Sequence, residues 1–253
     1  MLKCNSVRNS IVPGTKLVKD EDEVKVDATG YKQIVESLRY LTTTRPDVMY
    51  VVGLVSRYME KPTELHLGAV KRILRYIKGT SNLGILYKKG GIGELVGYTD
   101  SDYARDQDDR RSTSGYAFLF GDSVVAWSSK KQPIVTLSTT EAEFVAAAAC
   151  ACQAVWMRRV LDAFNHPQRE SIMLYCDNAS TIKLSKNVVL HGRSKHIHVK
   201  YHFLRELSNN KIIKLVHCGT KEQTSDIMTK ALKLETFEKL REKLGICGAT
   251  EIN

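Results

Sequence analysis

Three stretches near the start of the chain repeat apolar residues every three or four positions: "YKQIVESLRYL" at 31–41, "RPDVMYVVGLVSRYME" at 45–60 and "PTELHLGAVKRILRYIKGT" at 62–80. That spacing lines one side of a helix, so three helices are predicted. Asp47 behind Pro46 starts the second, Pro62-Thr63 opens the third and Gly79 closes it. Residues 1–30 carry Pro13-Gly14 and the charge run "KDEDEVK" without a sustained period, and are expected to form a flexible segment.

Beyond residue 80 the period changes. "LGILYKK" and "ELVGYTD" read as strands, and "TSGYAFLFGDSVVAWSSKK" as a hairpin turning at Gly121-Asp122. "STTEAEFVAAAACACQAVWMRRVLDAF" predicts a long helix, opened by the Ser138…Glu141 capping box. "SIMLYCDN" is apolar without alternation, as a strand buried on both faces should be. "ASTIKLSKN" and the basic "SKHIHVKYHFLRELSNN" read as helices and "KIIKLVHC" as a strand; "QTSDIMTKALKLETFEKLREKLG" is expected to be helical to its end. The order β-β-β-α-β-α-α-β-α predicts an α/β fold, a mixed sheet with helices on both faces.

Composition narrows the class. With 253 residues, 43% of them hydrophobic, the chain is long enough for a proper core and too apolar for disorder. No apolar run reaches the roughly 18 residues that cross a bilayer, so no membrane partner is expected. The N-terminus "MLKCNSVRNSIVPG" lacks an apolar signal core. The six cysteines include no CxxC pair and form no zinc spacing with the histidines. They are expected to be reduced thiols of an intracellular protein, cytoplasmic or nuclear.

The net charge is +10, and it is uneven: from Ser180 to Leu215 there are eight Lys or Arg and one acid, Glu206. Such a run attracts polyanions, nucleic acid above all, although a solvated helix face carries the same pattern.

Four acids stand where ligands of a hard cation would: Asp100 ending a strand, Glu143 early in the long helix, Asp177 ending the buried strand and Asp226 opening the last helical region. Singly each has a plainer reading: Asp100 as a turn acid, Asp177 as a helix cap, Asp226 as a stabiliser of a helix start. Glu143 lies in the apolar "EAEFVAAAA", where an acid needs a partner or a metal. In "YTDSDYARD", Asp102 shares the face of Asp100 if the strand continues, as an outer acid or alternative ligand, and Asp106 reads as a turn acid.

The stretches "GYTDSDYARDQDDRRSTSGYAFLFG", "VAWSSKKQPIVTLSTTEAEFVA", "YCDNASTIKLSKN", "HGRSKHIHVKYHFLREL" and "KEQTSDIMTKAL" resemble the ribonuclease H domain of copia-type retrotransposon Pol polyproteins. "LRYLTTTRPDVMYVVGLVSRYMEKPTELHLGAVKRILRYIKGT" resembles the segment behind the reverse transcriptase palm of the same polyproteins. The resemblance implies a flexible segment at 1–30, a helical reverse-transcriptase tail at 31–90, a ribonuclease H-like domain with a five-stranded mixed sheet at 91–232, and a C-terminal helix and tail at 233–253.

It also implies hydrolysis of the RNA strand of RNA·DNA hybrids, with Asp100, Glu143, Asp177 and Asp226 as catalytic metal ligands for Mg²⁺, two ions in all, Mn²⁺ substituting. His217 is the counterpart of a histidine that assists release or proton transfer. Ser112, Thr113, Lys183, Lys186, Arg193 and Lys195, with Ser114, are implied contacts to the nucleic acid. The chain departs from the usual family run at Arg105, where Gly is common, and at His198, where an acid is common; neither is a metal ligand.

No paired-aspartate turn precedes residue 90, so no polymerase activity is expected. The palm of a longer polyprotein is the expected partner, and the chain reads as a carboxy-terminal piece of one. The competing reading is a catalytically idle nucleic-acid-binding or interaction module left from a truncated element. An integrase or resolvase of the same broad fold places its glutamate last of the acids, whereas here it stands second.

Overall fold

The computed structural model describes residues 4–19, 22–88, 93–186 and 195–248, without the side chains of 195–199 and 201. Helix α1, Ala28–Leu41, starts where Asp27 accepts hydrogen bonds from the N–H groups of Thr29 and Gly30. Helix α2, Met49–Val55, is extended by a 3₁₀ turn on either side. Helix α3, Glu64–Gly79, begins at Thr63, whose N–H donates to His66 Nδ1 at 3.0 Å.

Of residues 1–30, expected to be flexible, the described stretches ahead of α1, 4–19 and 22–27, form a strap laid over these helices. Ile11 and Leu17 are buried, Tyr58 donates its hydroxyl hydrogen to Leu17 O, and Lys25 bridges Thr63. Two isolated apolar anchors leave no period for sequence reasoning to find.

The main sheet comprises β2 Leu95–Ser101, β3 Thr113–Phe120, β4 Ser123–Lys131, β5 Ile172–Cys176 and β6 Ile213–His217, in the order β4-β3-β2-β5-β6. Strands β2, β3 and β4 pair antiparallel; β5 and β6 continue from β2 in parallel. The β3–β4 turn falls at Gly121-Asp122, with Gly121 at φ +64°, a conformation glycine adopts without strain.

Helix α4, Thr139–Ala163, supplies the parallel crossover with α5, Ala179–Lys186, and α6, Lys195–Asn209. The buried alanines of α4 pack with Phe144 against Phe118 and Leu174 of the sheet, beside Leu204 and Leu207 of α6. Contrary to the expectation from apolar runs, α4 has the length and hydropathy of a membrane span; half of that stretch is buried inside the fold, as in a core helix.

The opposite face of the sheet is covered by the first three helices. Val51, Val52, Val70 and Ile73 form one core with Ala117 and Val124 of the sheet and with Phe237 and Leu240 near the C-terminus. The core is therefore continuous across the boundary expected near residue 90.

The C-terminal region corrects another expectation. It is not one helix: a 3₁₀ turn spans Thr224–Met228, helix α7 spans Leu234–Lys243, and strand β7 spans Ile246–Gly248. Thr229, at φ −126°, leaves the helical region as its hydroxyl donates to Asp100. Gly245, at φ +78°, ends α7 and turns the chain into β7. Strand β7 pairs antiparallel with β1, Leu83–Ile85, so "LGILYKK" joins the C-terminus rather than the main sheet.

Candidate metal centre

Asp100 stands near the C-terminal end of β2, opposite Gly115 of β3, and is 1% exposed. A Cβ at Gly115 would lie 2.6 Å from Met228 Cβ, so glycine lets the 3₁₀ turn bearing Asp226 rest directly on the sheet. Gln223, fully buried, fastens that turn by donating from Nε2 to Thr99 O at 3.0 Å.

At the start of α4, Ser138 Oγ accepts from Glu141 N–H at 3.1 Å, and the Glu141 carboxylate accepts from Leu137 N–H at 2.7 Å. Glu141 is thus spent on the cap. Two residues on, roughly 200° around the helix, Glu143 turns inward, and its Oε1 accepts from Ser101 N–H at 3.2 Å. Asp177 follows β5 and is half-buried.

Single carboxylate oxygens of Asp100, Asp177 and Asp226 lie within 4.8 Å of one another; Glu143, Cys176 and Asp177 form a second such group. The four predicted acids therefore converge at one edge of the sheet, with Asp177 common to both groups.

Their electrostatics follow from the crowding. Burial, then Asp100 and Asp177, push Glu143 up to about 9. Burial and Asp100 push Asp226 up to about 7 and raise Asp177. Burial would lower the Lys230 ammonium, but Asp100 and Asp226 outweigh it and raise its pKa. Burial also raises the Cys176 thiol, which keeps its proton, so the charged donors of the centre are oxygens. An all-carboxylate set drawn from separate elements fits a hard divalent cation, whose charge would displace the retained protons.

The other predicted residues fall elsewhere. Asp102 is not gathered with the four acids: β2 ends at Ser101, and the Asp102 carboxylate accepts from Thr113 N–H at 2.9 Å. Burial pushes it up to about 6. Asp106 is no solvated turn acid. It is 7% exposed and paired with Arg57 at 2.9 Å and Lys131 at 2.7 Å. Its Oδ1 also accepts from the N–H groups of Asp108 and Asp109.

Ser112 and Thr113, expected at the nucleic acid, are buried. Ser112 Oγ accepts from Ala104 N–H, and Thr113 Oγ1 accepts from Arg57, so both hydroxyls are engaged inside the fold. Ser114 is partly buried and its hydroxyl accepts from Gln132. Lys183 and Lys186 are exposed on α5. Arg193 lies outside the described residues, as does the side chain of Lys195. His217 ends β6 exposed, and among the described residues no interaction joins it to the acids; the adjacent Cys218 thiol instead feels burial and then Asp177, Asp226 and Asp100.

Gln223, Thr229 and Lys230 escaped the sequence reading. Lys230 Nζ lies 2.9 Å from Asp226 Oδ1 and 3.4 Å from Asp100 Oδ2. The Asp226…Lys230 spacing of four was the available signal.

An antiparallel β2–β3–β4 meander continued by the parallel β5 and β6, with α4 packed across it, defines a ribonuclease H-like α/β fold. No protein-family model matches the chain. The Retrovirus-related Pol polyprotein from transposon RE1 of Arabidopsis thaliana is 39% identical over 97% of this chain, and that from transposon TNT 1-94 of Nicotiana tabacum 40% identical over 89%. The chain belongs to the Pol polyproteins of copia-type retrotransposons, and it spans 17% of the length of each of these two relatives. Among solved structures, the N-terminal RNase H domain of a Mycobacterium tuberculosis protein covers 59% of this chain and 97% of its own, at 14% identity and a TM-score of 0.40.

Proposed function

We propose that the chain is a metal-dependent endonuclease that hydrolyses the RNA strand of RNA·DNA hybrids and leaves a 3′-hydroxyl. The convergence of Asp100, Glu143, Asp177 and Asp226 carries this reading. Membership of the Pol polyproteins supports a nucleic-acid substrate. The four carboxylates would hold Mg²⁺, two ions, with Mn²⁺ able to substitute. Such ions supply an activated water and neutralise charge at the scissile phosphate.

The rest of the work belongs to the chain's own residues. Ser101 N–H fixes Glu143, the Thr229 hydroxyl fixes Asp100, and Gln223 pins the turn of Asp226. Lys183 and Lys186 offer exposed ammonium groups to phosphates, with Arg193 and Lys195 proposed from the same basic run. Discrimination of RNA from DNA would rest on 2′-hydroxyls and groove shape. The reverse transcriptase palm of a longer polyprotein is the proposed partner.

The test is cleavage of an end-labelled hybrid in Mg²⁺ or Mn²⁺. Wild type is expected to cut the RNA strand only, and Asp177→Asn to lose cutting while still binding hybrid. Wild type that binds hybrid yet is inert with both ions would mark an idle binding module instead.

A further inference from the structure

The acidic centre contains its own cation. Lys230 Nζ approaches Asp226 Oδ1 at 2.9 Å and Asp100 Oδ2 at 3.4 Å, and the side chain is only 21% exposed. The backbone holds it there: Lys230 N–H donates to Asp226 O at 3.1 Å, while the preceding Thr229 donates its hydroxyl to the same Asp100 oxygen that Lys230 faces. The ammonium therefore sits on two of the carboxylates assigned to the metal, among acids that burial and mutual repulsion would otherwise strain.

We propose that Lys230 is a built-in counter-cation: it holds Asp100 and Asp226 together while the centre is empty of divalent ions and yields their oxygens as an ion enters, thereby setting the metal concentration at which the centre loads. This rests on the metal-centre reading above. A compact ammonium on a flexible four-carbon stem suits the role, because it can neutralise the site without ligating and can swing toward solvent. Its charge opposes a divalent ion at the same oxygens, so removing the charge should favour the ion. Removing it also leaves the empty centre with uncompensated acids, so the metal-free protein should weaken. Lys230 is thus a positioning residue with two readouts that move in opposite directions.

The experiment titrates Mn²⁺ into the full chain by calorimetry and measures melting in chelator, for wild type, Lys230→Met, Lys230→Gln, Lys230→Arg and Asp177→Asn. Both neutral variants are expected to bind Mn²⁺ on the order of tenfold more tightly, given the strength of charge–charge interactions at a few ångströms. In chelator they should melt lower than wild type. Lys230→Arg keeps the charge and should stay near wild type in both readouts.

Wild type that binds Mn²⁺, with binding lost in Asp177→Asn, combined with neutral variants that bind equally or more weakly, overturns the role of Lys230 and leaves the metal centre standing. Unchanged melting of the neutral variants in chelator overturns it too. Wild type that binds no divalent ion removes the metal centre and this inference with it.

Discussion

Two aspartates six residues apart, Asp100 and Asp106, are both almost fully buried, at 1% and 7% exposure, and they do opposite things. Asp106 meets two cations, Arg57 from the first 3₁₀ turn after α2 and Lys131 from the end of β4, together with two backbone N–H groups. Burial would raise its pKa, but Lys131, the Asp109 N–H and Arg57 outweigh burial and hold it down to about 2. Asp100 meets three other acids and one lysine, and the acids around it are pushed up. Burial alone therefore does not mark a functional acid. What distinguishes Asp100 is a crowd of like charge that Lys230 offsets only in part, the kind of arrangement in which functional acids concentrate.

The strongest way to break this contrast is Glu143→Gln. A glutamine keeps the shape and can still accept from Ser101 N–H, but it removes a ligand charge. Loss of cleavage by more than ~100-fold is expected, exceeding the usual effect of an outer-sphere change. Stability should move the other way. Glu143 has a folded pKa of about 9, raised above the ordinary value. Its contribution to stability is therefore complete below the unfolded pKa and is lost as pH rises toward 9. Melting in chelator from pH 5 to 9 should show a decline for wild type that the variant flattens. Equal cleavage by the two proteins would end the assignment.

Asp106→Asn is the counterpart, with a smaller effect. It leaves Arg57 without its acid in a partly buried setting and leaves Lys131 with Asp109 alone, at 2.7 Å. A loss of ~2–3 kcal/mol is expected, discounted from the 3–5 typical of a fully buried pair because both cations are partly exposed. Here the sign with pH reverses. The folded pKa is depressed to about 2, so the stabilisation is present above the unfolded value and disappears as pH falls toward 2. Urea unfolding at pH 3 and pH 7 should show a gap between wild type and variant at pH 3 that is roughly half of the gap at pH 7. Cleavage below the melting temperature should persist.

These cases show what the sequence could disclose. Periodicity located the first three helices, the hairpin and α4, because each buries one regular face. The capping box separated Glu141 from Glu143, since a helix cannot turn both inward. The partners of Asp106 were out of reach: Arg57 lies 49 residues away and becomes a neighbour only when the first three helices pack on the sheet. Ser112 and Thr113 were expected at the nucleic acid because a hydroxyl spent inside the fold, on the Ala104 N–H or on Arg57, reads the same in sequence as one offered to a phosphate. The β1–β7 pair joins segments some 160 residues apart, with three residues in each strand and no local signature.

Asp102 supplies the finest division. It stands between the two aspartates in sequence and shares a property with each: a raised pKa, like the acids of the centre, and backbone partners, like Asp106. Burial pushes it up to about 6, against which the Thr113 hydrogen bonds and the charges of Arg105 and Arg57 act. The raised value means its stabilisation is complete below the unfolded pKa and lost as pH rises through 6. Asp102→Asn keeps an acceptor for Thr113 N–H and removes that loss. The variant should melt slightly above wild type at pH 8 and match it at pH 4, with Mn²⁺ affinity and hybrid cleavage retained. A fall in Mn²⁺ affinity would instead return Asp102 to the centre, and would show that a raised carboxylate two residues from a ligand can act as one across a broken strand.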